Sequence, residues 1–327
     1  MNVNGDGCMG WISRMARGSA LLALFLVATA SAQAEAQEPA SDGDVVVSIR
    51  PLALITAALM EGIGEPRILL ADGASPHHYA LKPSDMRSLT DARLVVWVGP
   101  DLERFLDKPL SRTQAHTLAL TQSHDATDKA DHHEHEHEDT HDDHGDTHDE
   151  HEHDHHGVDV HPWLDPGKAL EMSHEIAAEL EKIYPQHADL IASNLRAFES
   201  SLAAVDERID EMLKPVSTRG FYVFHDAYSG FVGHYGLNQL GYFTLNPSQK
   251  PGARHLAEIR EQLEAQHAVC VLSEPQFSSA VVDAITSGLP LNHAELDPLA
   301  MGVSPTADAY PLYLLELAQR IESCLAE

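Results

Sequence analysis

Short apolar runs alternate with amphipathic segments along both halves of the chain. The runs rich in β-branched and aromatic residues predict strands at 44–49, 67–71, 93–99 and 116–120, and again at 221–224, 239–245 and 267–274. The segments between them have the spacing and the terminal residues of helices. Strands that alternate with helices are typical of parallel sheets covered by helices. The pattern therefore predicts an α/β fold built as two lobes.

Apolar residues recur every three or four positions from Leu190 to Leu213. This spacing predicts one long helix within residues 185–215, and 29 helical residues would span about 43 Å. A helix of that length is a stiff connection between two lobes. The predicted organisation is therefore an N-terminal lobe at 43–184, a connecting helix at 185–215 and a C-terminal lobe at 216–327.

Residues 122–157 interrupt the alternation with a run of histidine, aspartate and glutamate. The run has too few apolar residues to offset the entropy of ordering it, so we predict a disordered surface loop. Histidine and acidic side chains bind divalent metal ions, and an ion bound there must also order flexible chain. The run therefore predicts several weak accessory metal sites; the alternative is a solvated loop with incidental affinity. The histidines concerned are His132, His133, His135, His137, His141, His144, His148, His151, His153, His155 and His156.

The N-terminus has the features of a secretory signal peptide. Arg14 and Arg17 precede the apolar run 20–30, and an A-x-A pattern follows at Ala32 and Ala34. The run is shorter than the roughly 20 residues of a membrane span. We expect cleavage after residues 1–34 and export to the periplasm as a protein that is not membrane-embedded and acts as a monomer. The alternative is an amphipathic first helix.

The net charge excludes some classes of binding partner, and the cysteine content predicts whether the protein contains a disulfide. A formal net charge of -30 repels nucleic acids and anionic lipids, so neither is expected as a partner. Cleavage would leave Cys270 and Cys324, and an oxidising compartment favours a disulfide between them. Closing a loop of about 55 residues stabilises by roughly 4 kcal/mol in the chain-entropy model. The alternative is two free buried thiols.

Three histidines follow predicted strands or turn-rich segments at widely separated places. His77 comes after the strand at 67–71, His161 lies in "VDVHPWLDP", and His225 follows the strand at 221–224. Ligands of open parallel sheets bind beyond the carboxyl ends of the strands. Spacing alone leaves each residue either as a ligand or as a hydrogen-bonded structural histidine.

Several motifs together resemble one family. "DGASPHHYALKPSD", "ARLVVWVGPDLERFL", "VHPWLDP", "LNPSQKPG", "SEPQF" and "ELDPLA" occur in the order seen in the metal-specific solute-binding proteins of ABC importers. The insertion rich in histidine and acids indicates the zinc-uptake branch. The resemblance covers nearly all of the chain that would follow cleavage. It implies two lobes bridged by a long helix, one metal in the cleft between them, no catalysis, and delivery of the metal to an inner-membrane ABC permease.

The resemblance also implies the ligands. The family positions match His77, His161 and His225, with Asp297 or water as the fourth ligand. Some zinc binders have a glutamate where this chain has Pro76, and His78 is expected beside the site rather than in it. Three imidazoles and one oxygen suit Zn²⁺. Such ligands are expected to release the metal on acidification through about pH 6.

Two other functions stay open at this stage. A manganese-binding protein of the same family would prefer more oxygen ligands than three histidines supply. A secreted zinc hydrolase would also use three histidines and water, although the chain has no H-E-x-x-H motif.

The neighbours of the candidate ligands have simpler expected roles. We expect Trp163 and Tyr228 to form packing walls. Asp226 and Asp165 either orient an imidazole or cap a helix, and Glu274, at the end of a predicted strand, is a candidate to face the cleft.

Overall fold

The computed structural model describes residues 43–122, 159–244, 252–276 and 279–326, which belong to one compact unit. The first sheet has four parallel strands in the order β2-β1-β3-β4. These strands are β1 Val45–Val47, β2 Arg67–Ile68, β3 Leu94–Trp97 and β4 His116–Ala119, and the helices between them are α1 Arg50–Leu59, α2 Pro83–Asp91 and α3 Asp107–Leu110.

The second sheet repeats the same topology, with four parallel strands in the order β6-β5-β7-β8. Its strands are β5 Phe221–His225, β6 Gln239–Thr244, β7 Cys270–Ser273 and β8 Asn292–Glu295. Its helices are α6 Ser229–His234, α7 Ala253–Ala265, α8 Ser279–Thr286 and α9 Ala309–Ala326. The prediction of two α/β lobes with parallel sheets is confirmed.

Two long helices follow the last strand of the first sheet and precede the first strand of the second sheet along the chain. α4 spans Pro166–Ile183, and α5 spans Ala188–Leu213 with a short 3₁₀ turn on either side. The 26 residues of α5 correspond to about 39 Å of helix. α5 packs against α1 and α4 of the first half of the chain and against α9 of the second, and α1 also contacts α9. The long connecting helix is thus confirmed, while the boundaries 184/185 and 215/216 between lobe and helix stay a prediction.

The apolar core explains why this connection is stiff. One continuous cluster of buried side chains includes Val46 of β1, Ile176 of α4, Phe198 of α5, Val223 of β5 and Leu314 of α9. A second, smaller cluster lies within the second sheet and its helices α7 and α8, and includes Phe243 and Ile259. The lobes therefore share a packed interior, unlike domains that are joined only by an exposed linker.

Three elements differ from the sequence-based expectation. Residues 100–106 form turns rather than the start of a helix, because the buried Glu103 side chain accepts hydrogen bonds from the backbone N–H groups of Val98 (2.7 Å) and Gly99 (3.3 Å). β8 was not expected, since "NHAE" lacks β-branched residues; pairing with β7 makes it a strand. The short α6 was not expected either.

Cys270 at the start of β7 and Cys324 in α9 form a disulfide, with their Cα atoms 5.8 Å apart. The predicted pairing is confirmed, and it fastens the last helix to the second sheet. Within the residues that the structure describes, no helix combines the length and apolar character that a membrane span needs. The predicted signal peptide and the eleven histidines of the 122–157 run lie outside the described residues.

Candidate metal centre

His225 is the last residue of β5 and is buried. Its Nδ1 lies 2.6 Å from Oε1 of Glu274, which directly follows the neighbouring strand β7 and is also buried. A carboxylate accepts a proton-bearing nitrogen, so this contact places the proton of the neutral imidazole on Nδ1. Nε2 of His225 then carries a lone pair that can bind a cation. Glu274, which the sequence offered only as a candidate to face the cleft, orients this imidazole.

His161 stands at the start of the 3₁₀ turn Pro162–Leu164 and is also buried. Its backbone N–H donates to Oδ1 of Asp159 at 2.8 Å, and its Nδ1 lies 3.6 Å from the same oxygen. The Trp163 ring packs edge-on against the imidazole at 5.3 Å between centroids, and its Nε1–H donates to the Pro298 carbonyl at 2.7 Å. Trp163 is therefore the packing wall that the sequence predicted, and it also ties His161 to the second lobe.

His77 lies in the loop between β2 and α2 and is half-buried. Its backbone N–H donates to Ser75 Oγ at 3.3 Å, and no carboxylate contact to its imidazole is seen in the described part of the chain. Its ring centroid is 5.4 Å from that of His161 and 5.7 Å from that of His225. The loop thus places a third imidazole beside the other two, but without the carboxylate contact that each of them has.

The three imidazoles point their Nε2 atoms at one another. Nε2 of His161 lies 3.4 Å from Nε2 of His77 and 3.3 Å from Nε2 of His225, and all three ligand atoms lie within 4.8 Å of one another. Two ligands 2.0–2.1 Å from a tetrahedral zinc are separated by roughly 3.3–3.4 Å. A cation placed between converging nitrogen lone pairs is bound by all of them at once. The geometry therefore fits a single small divalent ion.

The protonation states agree with a metal-binding role. Burial, together with the nearby His161, His225 and His78, lowers the pKa of His77 to about 3. Burial also lowers the pKa of His161, although Asp159 opposes this effect. Both imidazoles are consequently neutral at physiological pH, which is the form that binds metal.

Asp297 lies close to this centre, but its carboxylate is turned elsewhere. Oδ1 accepts from Gln276 Nε2 at 2.6 Å and from the backbone N–H of Leu299 at 3.0 Å, and Oδ2 accepts from the backbone N–H of Met301. The group of converging ligand atoms contains the three histidines without Asp297. Its role as a fourth ligand remains a prediction.

The other residues near the centre make structural contacts. His78 is exposed, and its backbone N–H donates to the Ser75 carbonyl at 3.4 Å. Asp165 caps α4 by accepting from the backbone N–H groups of Gly167 and Lys168. Asp226 Oδ1 accepts from Gln239 Nε2 at 3.3 Å, and Tyr228 is buried in the core. Neither aspartate contacts a ligand imidazole directly in the described structure.

Sequence reasoning missed two residues of the centre. Asp159 contacts His161, and Gln276 lines the same cavity as the histidines. An acid two residues before a candidate ligand was the available signal for Asp159. For Gln276 the signal was its position two residues after Glu274.

The comparisons with known proteins identify the family. A model of the family described as "Zinc-uptake complex component A periplasmic" matches residues 45–324. The chain belongs to this family. Relatives of this chain include proteins described as "High-affinity zinc uptake system protein ZnuA". The protein from Yersinia pestis is 43% identical over 86% of this chain and 91% of its own. The protein from Haemophilus influenzae (strain ATCC 51907 / DSM 11121 / KW20 / Rd) is 36% identical, and the match covers 88% of this chain and 94% of that protein.

Solved structures of zinc-uptake component A proteins have the same fold. A crystal structure of ZnuA superposes with a TM-score of 0.69 at 23% identity, covering 86% of this chain and 98% of the other. A zinc-bound deletion mutant of ZnuA gives a TM-score of 0.68 at 24% identity, covering 86% and 97%. The family is a periplasmic component of an uptake complex rather than an enzyme, so the hydrolase alternative is set aside.

Proposed function

We propose that this chain captures one Zn²⁺ in the cleft between its lobes and delivers it to the permease of an ABC importer. The observation that carries the proposal is the convergence of three Nε2 atoms, at 3.3 and 3.4 Å, from residues far apart in the sequence. His77, His161 and His225 are the proposed ligands. The relatives from Yersinia pestis and Haemophilus influenzae are described as high-affinity zinc uptake proteins, which agrees with this assignment.

The ligand chemistry favours zinc over manganese. Three imidazole nitrogens and one oxygen suit a tetrahedral zinc, whereas manganese prefers sites with more oxygen ligands. The Glu274 carboxylate lines the same cavity, but its Oε1 accepts from His225 Nδ1, so we assign it to that imidazole rather than to the ion. It raises the basicity of the imidazole instead. Asp297 or water completes the proposed coordination.

The cellular setting is proposed from the family and the sequence together. The family is described as periplasmic, and residues 1–34 supply the proposed cleavable signal for export. The permease is the proposed partner, and the protein is proposed to act as a monomer. The histidine-rich run is proposed to gather zinc weakly around the tight site.

Replacing a buried ligand tests the proposal. His161→Ala removes the imidazole that lies within 3.4 Å of both others, so zinc affinity is expected to fall at least tenfold. The measurement is calorimetric titration of zinc against a competing chelator, with total metal content as a second readout.

The matched control is His174→Ala. His174 is an exposed histidine of α4 that pairs with Glu199 at 2.9 Å, away from the centre. The control is expected to bind zinc like the wild type. Equal affinities for the two variants would show that the tight site lies elsewhere.

A further inference from the structure

Gln276 lies at the point where the proposed metal centre meets Asp297. It lines the cavity that the three histidines share with Trp163 and Pro298, and it follows Glu274 by two residues. A carboxylate only accepts hydrogen bonds, so the side of the Gln276 amide that faces Asp297 must present its NH₂ group. The other end, Oε1, is buried and has no hydrogen-bond partner among the described residues.

The Asp297 carboxylate accepts hydrogen bonds from three N–H donors. Gln276 Nε2 and the backbone N–H of Leu299 bind Oδ1, and the backbone N–H of Met301 binds Oδ2. The backbone of Asp297 is fixed as well, since its carbonyl accepts from the Tyr313 hydroxyl at 3.0 Å. For Asp297 to reach an ion among the histidines, its carboxylate would have to leave these partly buried donors, which costs the hydrogen bonds that it now accepts.

The cavity has room for a different fourth ligand. Its volume is about 20 Å³, and roughly 10–15 Å³ is enough for one water molecule. An ion bound by three nitrogens in a tetrahedral site keeps a fourth position that points away from all three. A water bound to zinc has two protons to donate, and it therefore needs a buried acceptor nearby.

We propose that Gln276 sets the fourth coordination position of the metal. Its Nε2, together with the backbone N–H groups of Leu299 and Met301, holds the Asp297 carboxylate away from the ion, and its Oε1 accepts a hydrogen bond from the water that completes the tetrahedron. Gln276 is thus a positioning residue, just as Glu274 is for His225. This inference rests on the proposed function, because it requires zinc at the three histidines.

The test combines two measurements. The first compares the zinc affinity of Gln276→Met with that of the wild type, and the second is a zinc-loaded crystal structure of the wild type. Methionine has a similar length but neither donates nor accepts as an amide does, so zinc affinity is expected to fall about tenfold, as for other residues that orient metal ligands. A zinc-loaded crystal structure of the wild type is expected to show a water about 2.0–2.2 Å from the ion, within hydrogen-bond distance of Gln276 Oε1.

Gln266→Met is the matched control. This glutamine follows α7 and accepts from the Tyr222 hydroxyl at 2.9 Å, away from the centre. It is expected to leave zinc affinity unchanged. Thermal unfolding of the zinc-free proteins reports whether either substitution acts through the fold; the proposal requires that Gln276→Met lowers zinc affinity without lowering the unfolding temperature of the zinc-free protein.

Three results would overturn the inference: an Asp297 oxygen on zinc in the wild type, Gln276 Oε1 itself on zinc, or unchanged affinity of Gln276→Met. Each of these leaves zinc at the three histidines and so leaves the proposed function intact. A wild-type protein that binds no zinc at His77, His161 and His225 would contradict the proposed function itself.

Discussion

The three candidate ligands differ in how firmly their neighbours hold them. His225 is buried and paired with the buried Glu274 at 2.6 Å, and His161 is buried beside Asp159. His77 is more exposed and lies on a loop. The imidazoles of His225 and His161 are therefore oriented by carboxylates, while that of His77 has no such partner among the described residues. This difference suits a carrier protein, which must bind tightly and also give up its cargo.

Glu274→Gln tests the role of the buried carboxylate. The amide oxygen of glutamine still accepts from His225 Nδ1, but the negative charge that strengthens the imidazole as a ligand is lost. Zinc affinity is expected to fall about tenfold in a competition titration. Glu295→Gln, at an exposed position that ends β8, is the control and is expected to change nothing. Equal affinity of Glu274→Gln and the wild type would contradict this role.

The lowered pKa values predict a weak pH dependence of zinc binding near neutrality. Three imidazoles of ordinary pKa, about 6.5, would together lose about fiftyfold in affinity between pH 7.5 and pH 6. Because His77 has a pKa of about 3 and burial lowers that of His161, protons compete less, and a loss below about tenfold is expected. Release of the metal then needs a pH below 6. A fiftyfold loss in calorimetric titrations at the two pH values would contradict this.

The same shift affects the stability of the zinc-free protein. Between its ordinary pKa of 6.5 and its folded value of about 3, His77 binds more protons in the unfolded chain than in the folded one. Its contribution to stability is therefore present above about pH 6.5 and is lost as the pH falls toward 3.

At the scale of elements, the apolar pattern was enough to predict most strands and helices. Seven of the strands come from β-branched or apolar runs, and α5 from its strict spacing, because these elements bury one face against the core. The eighth, β8, alternates intermediate and exposed residues and depends on its pairing with β7, which local sequence does not encode. Residues 100–106 depend in the same way on the buried Glu103.

The centre was predictable only in part for a related reason. His225 and Glu274 stand at the ends of strands that neighbour each other in the sheet, so strand ends indicated both. The distance between histidines 84 and 64 residues apart is set by the packing of the two lobes, and only the family resemblance brought them together in advance. The contacts of Asp297 with Gln276, Leu299 and Met301 had no signal in the sequence.

The disulfide between β7 and α9 is expected to stabilise the fold without affecting the metal centre. The double variant Cys270→Ala, Cys324→Ala frees α9 from β7 and removes a closure of 54 residues. Its free energy of unfolding is expected to be lower by about 4 kcal/mol in the chain-entropy model. Urea unfolding of the zinc-free protein measures this value. Zinc affinity is expected to change little, because neither cysteine contacts the centre; a stability equal to that of the wild type would contradict the prediction.

For the whole molecule, the central feature is a cleft between two sheets that share one packed core. α5 contacts helices from both sides, and the cluster of buried side chains runs through β1, α5, β5 and α9. A cleft of this kind changes little on binding, so little ordering entropy is lost when an ion enters. The proposed binding of zinc by the histidine-rich run 122–157 is expected to be weaker per ion than binding in this cleft.

The most direct test is a zinc-loaded crystal structure of the protein lacking residues 131–157, with the ion located by anomalous diffraction at the zinc edge. A single strong peak is expected about 2.0–2.1 Å from Nε2 of each of His77, His161 and His225. A strongest peak elsewhere in the molecule, or one bound by fewer than two of these nitrogens, would contradict the account.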